Sequence, residues 1–315
     1  MTDDLLTLRI RSITYEAAGI ISLDLRPVDG GSLPGFTAGA HIDLSLPGGL
    51  SRSYSLVNPE GERHRYVVAV NRDRASRGGS RAVHEVLKAG DLIRVTAPRN
   101  NFALAASAAH SVLIAGGIGI TPLWCMVQTL VAQGRSWELH YAVRDRASAA
   151  FLEALQQWPE RLHLHVDAEA GRVLDVGAIV ARAPAGAHLY ACGPGPLLDA
   201  FTAATAGLPA EQVHLERFSS DAAPATGGGF TVVLARSGRE IAVPPGKTIL
   251  EAVREAGINA PSSCEEGICG TCEVRVIAGI PDHRDMVLSK AEQAANTVMM
   301  ICCSGAKSPT LTIDL

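Results

Sequence analysis

Three cysteines near the C-terminus, with a fourth farther along the chain, form the pattern that most restricts how this chain folds. Cys264, Cys269 and Cys272 lie within the stretch PSSCEEGICGTCEV, and 29 residues separate Cys272 from Cys302. Cys-x4-Cys-x2-Cys with one distant partner is the plant-type spacing, in which four thiolates hold the two irons of a 2Fe-2S cluster. Glycines and small residues in the loop let backbone N–H groups approach the sulfurs. The spacing therefore predicts a cluster-binding loop.

Other interpretations of these cysteines are a zinc site and a set of unligated structural thiols. Zinc sites favour two Cys-x2-Cys pairs, which the x4 gap and the lone distant partner fit poorly. The fourth ligand is itself ambiguous, because Cys302 and Cys303 are adjacent and neighbours on a strand point to opposite faces. The total of seven cysteines is odd, which favours metal or redox chemistry in a reducing compartment over a disulfide framework.

Composition excludes some classes of partner. The chain of 315 residues is 47% hydrophobic and carries a net charge of −4, which is typical of a soluble globular protein and gives no basic surface for nucleic acid or an anionic membrane. The N-terminus lacks an apolar run of signal-peptide length, and charge or glycine breaks every apolar stretch before it could span a bilayer. We expect a cytoplasmic monomer with no nucleic-acid or membrane partner.

The hydrophobic pattern divides the chain into domains. Residues 1–104 alternate apolar and polar positions between turn signals, which predicts an antiparallel β-barrel with one short helix at 82–88. Over residues 105–218, continuous apolar strands alternate with helices, which indicates a parallel α/β sheet. Residues 219–229 are small, polar and glycine-rich, as in a flexible linker, and precede a last domain at 230–315.

The last domain resembles a plant-type ferredoxin with a β-grasp fold. FTVVLARSGREIAV predicts a hairpin turning at Ser237-Gly238, TILEAVREAG a helix capped by Thr248, and TLTIDL a closing strand. The tail MICCSGAKSPTLTIDL is similar to that family's closing segment, in which one residue separates a ligand cysteine from a Ser-x-Ala-Lys stretch. This resemblance implies that Cys302 is the fourth ligand and Cys303 a bystander.

A glycine-rich turn, AGGIGITP, lies where an apolar strand gives way to a helix. Gly116, Gly117 and Gly119 allow close backbone approach, Thr121 suits an N-cap and Pro122 the first helical position, so the turn offers N–H groups to a phosphate. It is not a G-x-G-x-x-G fingerprint, and a merely tight connection is the alternative.

A second turn, YACGPGP, places Cys192, Gly193 and Pro194 at the same carboxyl edge of the predicted sheet, where ligands bind in open α/β folds. Taken alone, a buried cysteine there would usually serve packing. GGIGITP, YAVRD and YACGP together resemble the nicotinamide domain of the ferredoxin-NADP reductase superfamily. That resemblance implies that residues 116–122 bind the pyrophosphate and that Cys192 lies beside the nicotinamide.

Arg144 and Asp145 follow the strand ELHYAV, where the adenosine ribose is expected. A carboxylate accepts a hydrogen bond from a free 2'-hydroxyl and repels a 2'-phosphate, which favours NADH over NADPH. The neighbouring Arg146 argues the other way, because an arginine pairs with phosphate. A surface salt bridge is the alternative for each of these residues.

The string RSYSL in the predicted barrel indicates a second phosphate site. Arg52 and Tyr54 face the same side of a strand and offer a guanidinium fork and an aromatic surface, although such pairs are often only cross-strand contacts. RGGSRAVHEVL adds Gly78, Gly79 and Ser80 before the short helix, where backbone amides can hold a phosphate.

Barrel, strand and glycine-serine turn together resemble the flavin domain of the same superfamily. The flavin contacts that this resemblance implies come from Arg52, Ser53, Tyr54, Ser55, Ala69, Val70, Gly78, Gly79, Ser80 and Phe218. The residues do not distinguish FMN from FAD. The domain order is similar to that of the phthalate dioxygenase reductase and vanillate O-demethylase reductase family, which uses FMN.

This resemblance implies a reductase that passes electrons from NADH through FMN and the 2Fe-2S cluster to a terminal Rieske-type oxygenase acting on an aromatic acid. In it, Ser55 and Thr121 are hydrogen-bond donors to the flavin ring, Cys192 acts at the nicotinamide, and Glu216 is a weaker candidate there. The alternatives are a stand-alone NAD(P)H reductase for a ferredoxin or haem protein, an electron-transfer subunit of a larger dehydrogenase, and a zinc-bearing regulatory module.

Overall fold

The computed structural model describes residues 5–73, 78–219 and 222–315. The chain divides into two compact units, Met1–Phe218 and Ser219–Leu315. Residues 1–4 and 74–77 of the predicted barrel segment and residues 220–221 of the predicted linker lie outside the described residues. Within the described ranges, no helix combines the length and apolarity needed to cross a bilayer.

The first part of unit one is an antiparallel barrel. Its six described strands are β1 (Leu6–Ala17), β2 (Ile20–Pro27), β3 (His41–Leu46), β4 (Leu50–Ser55), β5 (Tyr66–Asn71) and β6 (Leu92–Val95). They pair in the order β4-β3-β6-β1-β2-β5. The barrel closes just beyond β4, where the Val57 N–H donates to Val67 O at 2.9 Å. Alternating side chains such as Leu8 and Ile10 fill its interior, which confirms the predicted architecture.

The short helix of the barrel starts and ends earlier than the sequence predicted. Helix α1 spans Gly79–Glu85, three residues ahead of the predicted 82–88. Beyond it the chain turns into β6, with Gly90 at φ +101° and the Asp91 carboxylate accepting the Lys88 N–H at 2.9 Å. The prediction was wrong because this turn, rather than a further helical turn, uses residues 86–91.

The rest of unit one is a parallel sheet with helices on both faces. Its described strands are β7 (His110–Gly116), β8 (Ser136–Val143), β9 (Leu162–Val166), β10 (His188–Cys192) and β11 (Val213–Glu216). Its described helices are α2 (Ile120–Ala132), α3 (Leu152–Leu155), α4 (Asp167–Ala170), α5 (Val176–Arg182) and α6 (Gly195–Ala204). The strands lie in the order β11-β10-β7-β8-β9. The chain adds β8 and β9 on one side of β7 and then crosses over to add β10 and β11 on the other side, so the topological switch point lies between β7 and β10. Ligands bind at the carboxyl ends of strands at such a switch point.

Unit two contains a mixed five-stranded sheet with a helix packed on it, in keeping with the predicted β-grasp, and a separate two-stranded sheet formed by residues 281–282 and 305–306. Its described strands are β12 (Phe230–Leu234), β13 (Glu240–Val243), β14 (Glu273–Ala278), β15 (Pro281–Asp282), β16 (Val298–Met300), β17 (Gly305–Ala306) and β18 (Thr310–Ile313). Its described helices are α7 (Ile249–Glu255) and α8 (Lys290–Ala295). The predicted hairpin, closing strand and cap are confirmed, since Thr248 and Glu251 form a capping box at the start of α7.

The end of the predicted linker is bonded to unit two. The Ala225 N–H donates to Cys303 O at 2.7 Å, and Thr226 O accepts the Gly246 N–H at 2.7 Å. Gly228 approaches the backbone so closely that a Cβ there would lie 2.2 Å from Pro245 N. Residues 225–229 therefore differ from the flexible linker that their composition predicted, because their backbone groups find partners in the sheet.

Candidate functional site

Four cysteine side chains converge in the core of unit two. Cys264, Cys269 and Cys272 lie in the loop between α7 and β14, Cys302 lies in the turn after β16, and none is more than 7% exposed. The Cys264 thiol contacts those of Cys269 and Cys302, and the Cys272 thiol contacts that of Cys302. Residues from two distant parts of the sequence thus form one buried group of sulfurs.

The electrostatics of this group call for a positively charged partner. Contact with Cys264 and burial raise the pKa of the Cys269 thiol, and contact with Cys302 and burial raise the pKa of Cys272. Four adjacent thiolates repel one another, so metal ions are needed to stabilise them. The Glu266 N–H donates to Cys264 Sγ at 3.3 Å. Four soft donors with a hydrogen-bonded sulfur fit a 2Fe-2S cluster.

Cys303 lies at the margin of the thiol group. The Cys302-Cys303 pair is in a turn rather than on a strand, so the rule of alternating faces does not separate the two. The Cys303 thiol contacts that of Cys302 and packs against Gly267, where a Cβ would lie 2.4 Å from Cys303 Sγ. Since Cys302 also contacts the thiols of Cys264 and Cys272, this geometry favours Cys302 as the fourth ligand.

The two glycine turns of the parallel sheet pack directly on each other. A Cβ on Gly119 would lie 2.2 Å from Cys192 O, and one on Gly116 would lie 2.6 Å from Pro194 Cδ. A Cβ on Gly193 would lie 3.0 Å from Gly116 Cα. Only glycine allows the two turns to approach so closely at the switch point of the sheet. This leaves backbone groups at the position where a dinucleotide would bind.

Thr121 does not cap the helix that follows this turn. Residues Gly117–Gly119 form a 3₁₀ turn and α2 begins at Ile120, so Thr121 and Pro122 lie inside the first helical turn. Thr121 is 2% exposed, and its hydroxyl donates to Ile118 O at 3.0 Å. The N-cap prediction and the placement of Pro122 at the first helical position are wrong, because the 3₁₀ turn moves the start of the helix back.

Cys192 and Glu216 end neighbouring parallel strands in register with each other. Burial raises the pKa of the Cys192 thiol, which is therefore neutral at pH 7. Glu216 Oε2 is buried with no hydrogen-bond partner among the described residues, and burial raises the pKa of this carboxyl to about 8. A carboxyl that stays protonated can donate a hydrogen bond at this edge. The sequence indicated Glu216 only weakly, because nothing in it shows burial.

The loop after β8 holds the residues considered for ribose binding. Arg144 and Asp145 are exposed, and Asp145 Oδ1 accepts the Ser148 N–H at 3.0 Å. Arg146 forms an ion pair with Glu169 at 2.8 Å. Because this partner offsets its charge, Arg146 is a weaker argument for a 2'-phosphate than the sequence suggested.

Strand β4 and the turn before α1 meet in the barrel. A Cβ on Gly79 would lie 2.7 Å from Arg52 Cγ, so the turn packs against the arginine stem. Gly78 has φ +98°, and Ser80 Oγ accepts the Asp73 N–H at 3.2 Å. Backbone amides and a guanidinium thus lie close together, an arrangement that suits a phosphate.

Ser53 hydrogen-bonds to a buried carboxylate behind this strand. Its hydroxyl donates to Asp43 Oδ1 at 2.6 Å, and Arg99 Nη2 lies 2.5 Å from Asp43 Oδ2. Asp43 is 3% exposed. The sequence did not indicate this supporting pair, because Asp43 and Arg99 are 56 positions apart in the chain. The only signal was an aspartate within the apolar strand HIDLSL.

The remaining flavin candidates differ in exposure. Tyr54 is half-buried, and burial raises its pKa to about 12, while Ser55 is 4% exposed. Ala69 and Val70 are buried on opposite faces of β5, so this strand offers a ligand its backbone rather than these side chains. The Phe218 ring is 37% exposed at the end of unit one.

Two protein-family models match the chain. The 2Fe-2S iron-sulfur cluster binding domain covers residues 232–307. The oxidoreductase NAD-binding domain covers residues 113–202.

Similar proteins extend over almost the whole chain. Phenoxybenzoate dioxygenase subunit beta from Ectopseudomonas oleovorans is 54% identical over 98% of this chain and 97% of its own length. Tetrachlorobenzoquinone reductase from Sphingobium chlorophenolicum is 52% identical over 97% of each chain. A solved structure of phthalate dioxygenase reductase, described as modular for electron transfer from pyridine nucleotides to [2Fe-2S], is 40% identical with a TM-score of 0.77, over 99% of this chain and 98% of that one.

Proposed function

The chain belongs to the phthalate dioxygenase reductase and vanillate O-demethylase reductase family, and on this basis we propose that it is the NADH-dependent reductase component of a Rieske-type aromatic oxygenase or O-demethylase. The observation that carries the proposal is the presence, in one chain, of a four-thiol group and a glycine-lined nucleotide edge. Bound NADH, FMN and 2Fe-2S cluster supply hydride transfer, conversion to single electrons and one-electron transfer to a protein acceptor.

We assign one cofactor to each domain. Residues 1–104 hold FMN, residues 105–218 bind NADH and residues 230–315 hold the cluster. Residues 219–229 connect the NADH domain to the cluster domain. The matched ranges 113–202 and 232–307 fall inside the second and last of these domains, which supports the assignment.

At the nucleotide edge the protein orients the cofactor and keeps water out. Gly116 and Gly119 leave room for a pyrophosphate beside the backbone, and Asp145 accepts a hydrogen bond from the ribose. Cys192 presents a neutral, buried thiol to the nicotinamide, and Glu216 presents a protonated carboxyl. Because both groups are already neutral, neither has to take up or release a proton when the nicotinamide binds.

At the flavin site Arg52 neutralises the phosphate, and the turn at Gly79 and Ser80 donates backbone hydrogen bonds to it. Tyr54 supplies a neutral aromatic surface. Ser55, at the end of the same strand, would serve as a hydrogen-bond donor to the ring. Asp43 and Arg99 support the strand from behind through Ser53.

Cofactor analysis of the purified protein tests these assignments together. We expect acid-extracted flavin to be FMN at about one per chain, with about two irons and two sulfides per chain. FAD in place of FMN would contradict the flavin assignment, and a colourless protein containing zinc would contradict the redox function. Size-exclusion chromatography tests the proposed monomer, and cell fractionation tests the cytoplasmic location.

Reconstitution with a terminal oxygenase tests the acceptor. NADH oxidation coupled to hydroxylation or demethylation of an aromatic acid is expected. Exposed Glu273, next to Cys272, gives the cluster loop an acidic group for a basic docking surface, whereas Arg254 at 2.7 Å offsets the charge of Glu265. Transfer to the oxygenase should slow as ionic strength rises, and a flat salt response would exclude electrostatic steering.

A second candidate function is reduction of a small quinone, which the 52% identity to tetrachlorobenzoquinone reductase favours. The two functions differ in what the enzyme must recognise. A kcat/KM that is higher for a chlorinated quinone than for any oxygenase partner, with no dependence on salt, would support the quinone function instead.

A further inference from the structure

Glu138, His140 and His163 form a polar cluster on the parallel sheet that the proposed reaction does not use. Parallel pairing of β8 with β9 places His140 directly opposite His163. Glu138 lies two residues before His140 on β8 and therefore on the same face. The alternate residues Leu139 and Tyr141 are buried in the core on the other face. The pairing register, rather than a sequence motif, brings these three side chains together.

The three side chains lie close enough together to share one metal ion. Glu138 Oε1 lies 3.3 Å from His140 Nε2, and the two imidazole rings are stacked with their centroids 4.6 Å apart. One ligand atom from each residue lies within 4.8 Å of the other two. Ligands held 2.0–2.1 Å from a tetrahedral zinc ion are about 3.4 Å apart. The Glu138–His140 pair already has this separation, and rotation of the exposed His163 side chain completes the set.

We propose that Glu138, His140 and His163 bind one Zn²⁺ ion. Two imidazole nitrogens and one carboxylate oxygen are the donors that zinc takes in sites with three protein ligands and an open position, whereas Mg²⁺ and Ca²⁺ prefer oxygen alone. His163 is exposed, so water can reach the fourth position. Arg182 lies close enough to His140 to act on it electrostatically, and the Glu138 carboxylate offsets that positive charge.

The ion would tie the edge strand of the sheet to its neighbour. β9 is an edge strand that pairs only with β8 among the described strands. β8 leads into Arg144 and Asp145, and β9 leads into α4, whose Glu169 pairs with Arg146. Cross-linking the two strands therefore stabilises the base of the loop that we assign to the ribose. We expect zinc to raise the thermal stability of unit one.

Equilibrium dialysis of the untagged holoprotein against Zn²⁺, followed by metal analysis, tests the site. His163→Ala removes an exposed ligand, and FMN content and cluster absorbance show that the fold is kept. His165→Ala is the matched control, because His165 lies on the same face of β9 but outside the cluster. Wild type and His165→Ala should bind one more zinc per chain than His163→Ala does. The Kd of His163→Ala for Zn²⁺ should rise at least about tenfold, because even replacing a residue that only hydrogen-bonds to a metal ligand lowers metal affinity by about that factor.

Thermal unfolding gives a second readout that does not depend on cysteine-bound zinc. At a zinc concentration near the wild-type Kd, zinc should raise the unfolding temperature of wild type and His165→Ala and have much less effect on that of His163→Ala. Equal zinc uptake by wild type and His163→Ala would overturn the proposal. Loss of the ion in His165→Ala as well would also overturn it, because the ligands would then be other histidines.

Discussion

Replacing Gly119 by alanine puts a methyl group where the structure has no space for one. The new Cβ would lie 2.2 Å from Cys192 O and 2.7 Å from Gly193 N, and these are backbone atoms that no side-chain rotation can move away. Real Cβ contacts stay beyond 3.0 Å, so the turns after β7 and β10 must part by about 0.8 Å. Gly119 has φ −61°, so alanine adds no backbone strain and the effect is steric alone.

The size of the effect follows from this clash. Overpacking costs about 1–3 kcal/mol, and rigid backbone on one side of the contact favours the upper end. At about 2–4 °C per kcal/mol for a unit of this size, the unfolding temperature of unit one should fall by about 6–12 °C. A displacement approaching 1 Å at the nucleotide edge should lower kcat/KM for NADH about 100-fold. Differential scanning calorimetry and steady-state NADH oxidation with ferricyanide measure the two effects.

Gly207→Ala is the matched control, because no heavy atom of the described residues, its two chain neighbours aside, lies within 4 Å of its Cβ position. We expect it to behave as wild type in both assays. Iron and sulfide content of Gly119→Ala should be unchanged, since the four thiols belong to the other unit. A Gly119→Ala protein with wild-type unfolding temperature and wild-type kcat/KM would refute the reasoning that the two turns are packed without space between them.

Three further changes test the other sites. Cys302→Ser should lose the cluster, as measured by iron, sulfide and visible absorbance, and should still oxidise NADH with ferricyanide. Cys303→Ser should keep the cluster. Loss of the cluster in Cys303→Ser, but not in Cys302→Ser, would make Cys303 the fourth ligand. Folding raises the pKa of Glu216 from 4.5 to about 8. Between these pH values the folded chain holds a proton that the unfolded chain releases. The resulting contribution to the free energy of unfolding is therefore present at low pH and lost as pH rises through about 8. Glu216→Gln should remove that part of the pH dependence of the unfolding temperature, and an unchanged profile would show that Glu216 is ionised. Gly79→Ala, whose Cβ would lie 2.7 Å from Arg52 Cγ, should cost little stability because the arginine side chain is flexible. It should weaken FMN binding about tenfold, since displacing Arg52 loses a hydrogen bond to the charged phosphate, worth about 1.5 kcal/mol. Undiminished binding in a flavin titration would show that Arg52 does not bind the phosphate.

The metal centre and the fold class could be predicted because their signals are local. Nine residues contain three of the four proposed ligands, and their spacing alone indicates a loop around a cluster. Period-two runs, buried apolar strands and alternating helices are likewise properties of short windows, so the barrel and the parallel sheet follow from them. The cap at Thr248 depends on Glu251 three residues later, which is again local.

Other features depend on partners far apart in sequence, and the tertiary structure alone decided them. Thr121 became a buried helical residue because a 3₁₀ turn precedes it. The raised pKa of Glu216 results from burial beside Cys192. The preference for Cys302 over Cys303 as the proposed fourth ligand rests on which thiols each one contacts. A sequence determines which groups are available and their local spacing, whereas burial and contacts between distant segments arise only when the elements pack.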